Sequence, residues 1–295
     1  MHRRPTKRYP VEKNKEEEDD DDDDDKEDAD KEFLQGLMKA WYVVYTMKQS
    51  LKAQECVFND FLVFPYTKCL ALVVRETIED CHAEFVVGET PLEAMKKQLD
   101  EEDGSSLCFA DVVIKLFGLK EAEVVLLDTS SHFGCTDNGK ISFDHHKGLF
   151  GTLAMLKSIA DSYYFGKVET FAKIKVLFLQ AAGHRVYAWS MRYVEDGPAY
   201  ELWLEDVLDI HVKFEEREEM LPRAVSFWWL LKELVAETTK QIMMLRDEHS
   251  EELRKHRFSP SPSTNLADQI NPSILKLTEE DDKTGLHKIG PFYHK

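Results

Sequence analysis

Cysteine is sparse and unpatterned in this chain. Its five residues, Cys56, Cys69, Cys81, Cys108 and Cys135, include no CxxC pair. An odd, scattered set excludes a disulfide-stapled scaffold and points to a reducing, intracellular setting, cytoplasmic or nuclear. Long hydrophobic runs are missing too. No apolar run reaches the roughly eighteen residues of a membrane-spanning helix, so no membrane partner is expected. The N-terminus is basic and then acidic, without the apolar segment of a secretory signal. There is no GxSxG nucleophile elbow and no internal repeat.

What the chain has in excess is negative charge, unevenly placed. The 295 residues carry a net charge of −18. Residues 1–32 hold eight basic and fifteen acidic side chains, and Glu16 to Asp25 are ten consecutive acids. Such a run repels itself and offers nothing to bury. Residues 1–32 are therefore expected to be a disordered acidic tail, suited to a basic protein partner. The HRRPTKR run at His2–Arg8 fits a nuclear import signal. Residues 107–194 run the other way, with ten basic and eight acidic side chains. Overall acidity argues against indiscriminate polyanion binding but leaves nucleic acid open as a partner of this central stretch.

Residues 33–256 are expected to form one α/β domain with a central mixed sheet flanked by helices. Phe33, Leu34, Leu37, Met38 and Trp41 recur at helical spacing. Leu51 to Phe64 reads as a helix ending before Pro65, and residues 80–87 as a short strand. Thr90-Pro91 followed by Glu93 has the form of a helix N-cap. Val112–Phe117 and Glu123–Leu127 are rich in β-branched and aliphatic residues and read as strands. Ser130–Ser142 reads as a loop, and Asp144 as the cap of a helix from His145. That helix has an apolar face at Leu149, Leu153, Leu156 and Tyr163. Lys175–Gln180 and the alternating Tyr187, Trp189, Met191 and Tyr193 give two more strands joined by a hairpin. A long helix is expected over 222–255, apolar in its first half and charged in its second. The SPSPSTN run from Ser259 opens a flexible tail over 257–295.

Two aspartates stand out. Asp111 and Asp128 lie on apolar strand-like runs, where aspartate is disfavoured and costly to bury without a partner. Joined by a short turn, their strands can bring them side by side. The order helix, strand with Asp, strand with an acid at its end, helix and two strands resembles the PD-(D/E)XK restriction-endonuclease-like superfamily. The motif residues are Ala110-Asp111 and Asp128-Thr129-Ser130. The resemblance covers residues 51–194.

The resemblance implies a restriction-endonuclease-like fold and a Mg²⁺-dependent nuclease acting on nucleic acid, or a descendant that has lost the activity. Asp111 and Asp128 would ligate Mg²⁺, with the Thr129 carbonyl. The family places a Lys two positions after the second acid, and this chain has Ser130 there. Lys147, in the DHHKG stretch, sits where some members supply the lysine from the next helix. Glu55 or Asp60 would match the auxiliary acid on the preceding helix. The alternative is a non-catalytic module that binds proteins through the acidic arm and the long C-terminal helix.

Three other patterns carry less. His132, Cys135, His145 and His146 are zinc-type side chains, but structural zinc sites show two close pairs. Ser130, His132 and Asp128 lie too close in sequence for a nucleophile triad. The Trp189 face is better read as core than as a base-stacking platform.

Overall fold

The computed structural model describes residues 15–99, 108–196, 199–258 and 265–274. A six-stranded sheet runs in the order β1-β2-β3-β4-β5-β6. Its strands are β1 (Ala83–Pro91), β2 (Phe109–Leu116), β3 (Ala122–Ser130), β4 (Val176–Ala182), β5 (Arg185–Val194) and β6 (Ala199–Asp209). Every neighbouring pair is antiparallel except β3 and β4, which are parallel. Parallel neighbours need a crossover. Helix α5 (Asn138–Ser162) with the short α6 (Val168–Phe171) supplies it.

The remaining helices flank this mixed sheet. Helix α1 (Lys15–Thr46) packs on α3 (Phe64–Thr77), and α3 packs on β1. Helix α4 (Glu93–Leu99) lies on α5, which lies on β3 and β4. The long α7 (Arg217–Lys255) crosses α3, and the short α8 (Leu266–Gln269) lies on α5. Leu153 and Leu156 of α5 are buried, as the helical period predicts. Trp189, Met191 and Tyr193 are buried as well, so that strand face is core.

Helix α2 (Glu55–Phe58) does not stop before Pro65. It passes through a π-turn at Asn59–Val63 straight into α3. Proline lacks the N–H that would bond one turn back, and the π-turn takes up that missing bond. Glu55–Thr77 is thus one helical run, long and apolar enough by composition to cross a membrane. Its Phe58, Leu62, Val63, Leu70 and Val74 are buried in the core.

Several local expectations are corrected. Thr90 and Pro91 belong to β1, and α4 is capped from elsewhere. The Glu123 carboxylate on β3 accepts the Glu93 and Ala94 N–H groups at 3.1 and 3.0 Å, while pairing with Lys115 at 3.1 Å. Helix α5 starts at Asn138, with Asp137 as its cap, accepting from the Gly139 and Lys140 N–H groups. Asp144 is therefore inside the helix and buried. Ser162 ends α5, and α7 begins at Arg217, before Pro222.

Parts of both expected tails are structured. Helix α1 begins at Lys15, inside the span read as the tail. Farther along, Ala29 is buried and Asp30 pairs with Lys232 of α7 at 2.6 Å. Residues 1–14 lie outside the described residues. In the other tail, Asn265–Ile274 docks on the core, with Leu266 and Ile270 buried. The Lys157 ammonium of α5 donates to the Ala267 carbonyl at 2.7 Å. Residues 259–264 and 275–295 lie outside the described residues.

Candidate functional site

Antiparallel pairing of β2 with β3 runs to Val112↔Leu127, and the next positions outward are Asp111 and Asp128. There the ladder gives way to a side-chain contact. Asp111 Oδ2 accepts the Thr129 N–H at 2.7 Å. The strand pleat turns Asp128 and Thr129 to opposite faces. Asp128 faces α5, where Lys147 Nζ lies 2.8 Å from Asp128 Oδ1. Thr129 faces the π-turn, where its hydroxyl donates to Asn59 Oδ1 at 2.6 Å.

Helix α5 adds more charge. Lys140, Asp144 and Lys147 fall three and four residues apart, the spacing that puts side chains on one helix face. Lys140 Nζ is 3.5 Å from Asp144 Oδ2. On β4, Gln180 sits beside Asp128 in the parallel register. Its amide donates to Ser130 Oγ at 3.2 Å and to the Ile141 carbonyl at 2.8 Å. Ser130 is fully buried. Gln180 thus ties β4 both to Ser130 of β3 and to α5.

Negative charge outweighs positive in this cluster. Burial, opposed by Lys147 and aided by the Asp144 and Asp111 charges, holds the Asp128 carboxyl up at about 7. Burial also raises Asp144, against Lys140 and the Ser130 hydroxyl. Glu55, at the start of α2, is raised by burial and by the Asp111 charge. Lys147 goes the other way: burial opposes its charge, but the Asp128 charge and hydrogen bond hold the ammonium above its usual range. So four carboxylates share two ammonium groups, Lys140 and Lys147. Of the two helical acids considered, Glu55 joins the cluster and Asp60 is solvent-exposed.

Asp128 Oδ2 is buried and without a hydrogen-bond partner. A buried carboxylate oxygen left unpaired beside other acids is the environment a small divalent cation relieves. Among the described residues, no three His, Cys, Asp or Glu side chains gather into a metal-holding group. An ion bound here would have Asp111 and Asp128 as its carboxylate ligands and would complete its shell with water, as Mg²⁺ commonly does. The third ligand expected, the Thr129 carbonyl, already accepts the Ser131 N–H at 3.0 Å.

The zinc-type residues do not converge. His146 Nδ1 contacts the Ser142 carbonyl at 2.7 Å, and His132 Nδ1 contacts Ser131 Oγ at 3.1 Å. His145 is buried against the Trp189 ring, centroids 4.8 Å apart, and burial lowers its pKa to about 4. Asp144, Lys140, Gln180 and Asn59 are the members that sequence reasoning missed. The signal for Gln180 was a lone amide in an otherwise apolar strand.

No protein-family model, curated protein or solved structure matches the chain.

Proposed function

We propose that this cluster is a Mg²⁺-dependent, phosphodiester-hydrolysing site of restriction-endonuclease-like layout, acting on nucleic acid. The observation that carries the reading is the reach of Lys147, whose ammonium lies 2.8 Å from Asp128. Ser130 removes the family's usual lysine, and Lys147 brings an equivalent charge to the same carboxylate from α5. The order of helix, Asp111 strand, Asp128 strand, crossover helix and parallel strand supports the same layout.

In this reading Asp111 and Asp128 hold the ion. An ion held there would supply Lewis-acid chemistry, lowering the pKa of a water and offsetting charge on the phosphate. Lys147 keeps its proton because Asp128 stands beside it. It can donate a hydrogen bond to the attacking water or to a phosphate oxygen. The Thr129 N–H keeps the Asp111 carboxylate in place. Ser130 and Gln180 lock the Asp128 strand to its neighbour and to α5.

The test is cleavage of single- and double-stranded DNA and RNA in Mg²⁺ or Mn²⁺. Wild type is expected to cleave at least one of these, and Asp111→Asn and Lys147→Ala none. Failure of wild type on all substrates with both ions would overturn the enzyme reading.

A second reading is a non-catalytic module that binds a basic protein partner through the acidic arm and α7. Exposed Met38, Tyr42 and Val43 on α1, with Met244 and Leu253 on α7, favour it. It predicts protein capture that survives Asp111→Asn and is lost when these apolar side chains become polar.

A further inference from the structure

We infer that Asn59 is a positioning residue for the acid pair, acting on Asp111 through Thr129. This rests on the reading of Asp111 as a Mg²⁺ ligand. Asn59 is buried at the first position of the π-turn. Its carboxamide oxygen accepts the Thr129 hydroxyl at 2.6 Å. The N–H of the same Thr129 donates to Asp111 Oδ2 at 2.7 Å. One residue on β3 thus ties the helix to the carboxylate, its side chain facing one partner and its backbone the other.

The π-turn sets this alignment. An α-helix advances about 100° per residue, so one extra residue in a turn rotates all that precedes it relative to all that follows. Here the rotation leaves Val63, Tyr66 and Leu70 in the core while bringing a polar side chain under the end of β3. A buried amide costs free energy unless it is bonded, and an aliphatic residue would fill this place at no such cost. Asn59 gives its oxygen to the one strand position that holds Asp111. Asn59 does not touch the reacting groups. It fixes Thr129, and Thr129 fixes the carboxylate. Residues of this outer kind typically change metal affinity by about tenfold or more when removed.

The experiment uses the full ¹⁵N-labelled chain and two readouts. The first needs no metal: the Thr129 amide proton, whose charged acceptor shifts it downfield and slows its exchange. Asn59→Ala should move that resonance upfield and speed its exchange. Thr129→Val breaks the same bond from the other side and should do likewise, which covers the case in which Asn59→Ala fails to fold. Thr129→Ser keeps the hydroxyl and should behave as wild type. The second readout is the Mg²⁺ midpoint, expected to weaken about tenfold in Asn59→Ala and Thr129→Val but not in Thr129→Ser. An unmoved Thr129 amide in both disrupting variants overturns the inference. So does an unchanged Mg²⁺ midpoint where wild type responds to Mg²⁺. A moved amide in a protein whose wild type ignores Mg²⁺ keeps the Asn59 link and removes the metal reading instead.

Discussion

Lys147 Nζ lies 2.8 Å from Asp128 Oδ1, joining the crossover helix to the strand it leaves. The aspartate side chain is 6% exposed and the lysine side chain 23%. The carboxylate is the more deeply buried partner, so its ionisation is the one that burial resists.

Stability should therefore depend on pH through Asp128. Burial raises its folded pKa to about 7, whereas an unfolded aspartate titrates near ~3.9. Between those values the folded state holds the extra proton, so this contribution is complete below about pH 4 and is lost as pH rises through about 7. Urea midpoints from pH 4 to 8 should fall more steeply in wild type than in Asp128→Asn. Parallel pH profiles would contradict the assignment.

Glu123 caps α4 and neutralises Lys115 in a nearly dry environment. Glu123→Ala should cost about 3–5 kcal/mol, because it leaves a buried ammonium without its partner. Urea unfolding measures it. A loss under about 1 kcal/mol would mean that water reaches Lys115.

Leu156 is fully buried on α5 against the sheet. Leu156→Ala should cost about 2–5 kcal/mol in the same assay. A value below about 0.5 kcal/mol, the range of surface substitutions, would contradict the packing.

Ile270 tests the docked C-terminal segment. It is fully buried, as is Leu266 four residues earlier. Ile270→Ala should lower stability by roughly 2–5 kcal/mol, and deletion from residue 259 onward by at least as much. A deletion that leaves the urea midpoint unchanged would show that the segment adds nothing to the fold.

The parts of this fold that were legible in the sequence are those encoded by local periodicity. The β2 and β3 runs, the Leu153 and Leu156 face and the alternating β5 all repeat at the spacing of their element. What was hidden depends on distant residues. The cap of α4 is Glu123, 30 residues away, so Thr90-Pro91-Glu93 gave a false local cue. The cue at Asp144 failed because Asp137 offered a cap two turns earlier. Helix through Pro65 required a π-turn that no short motif announces. Leu266 and Ile270 have helical spacing, but their polar surroundings masked it. Within the site, Asp111 and Asp128 were visible because acids are rare in apolar strands, and Lys147 because of the family resemblance. Asn59 was not, since a single amide on a helix carries no pattern of its own.

The most direct measurement is Mg²⁺ titration followed by melting of wild type, Asp111→Asn and Lys147→Ala. Two acids that crowd each other should be relieved by the ion, so wild-type Tm should rise with Mg²⁺ concentration and level off. Asp111→Asn should lose that rise. Lys147→Ala should keep it, since this lysine is assigned to the water and the phosphate. A wild-type Tm that ignores Mg²⁺, or a rise that Asp111→Asn retains in full, would contradict the metal-site account.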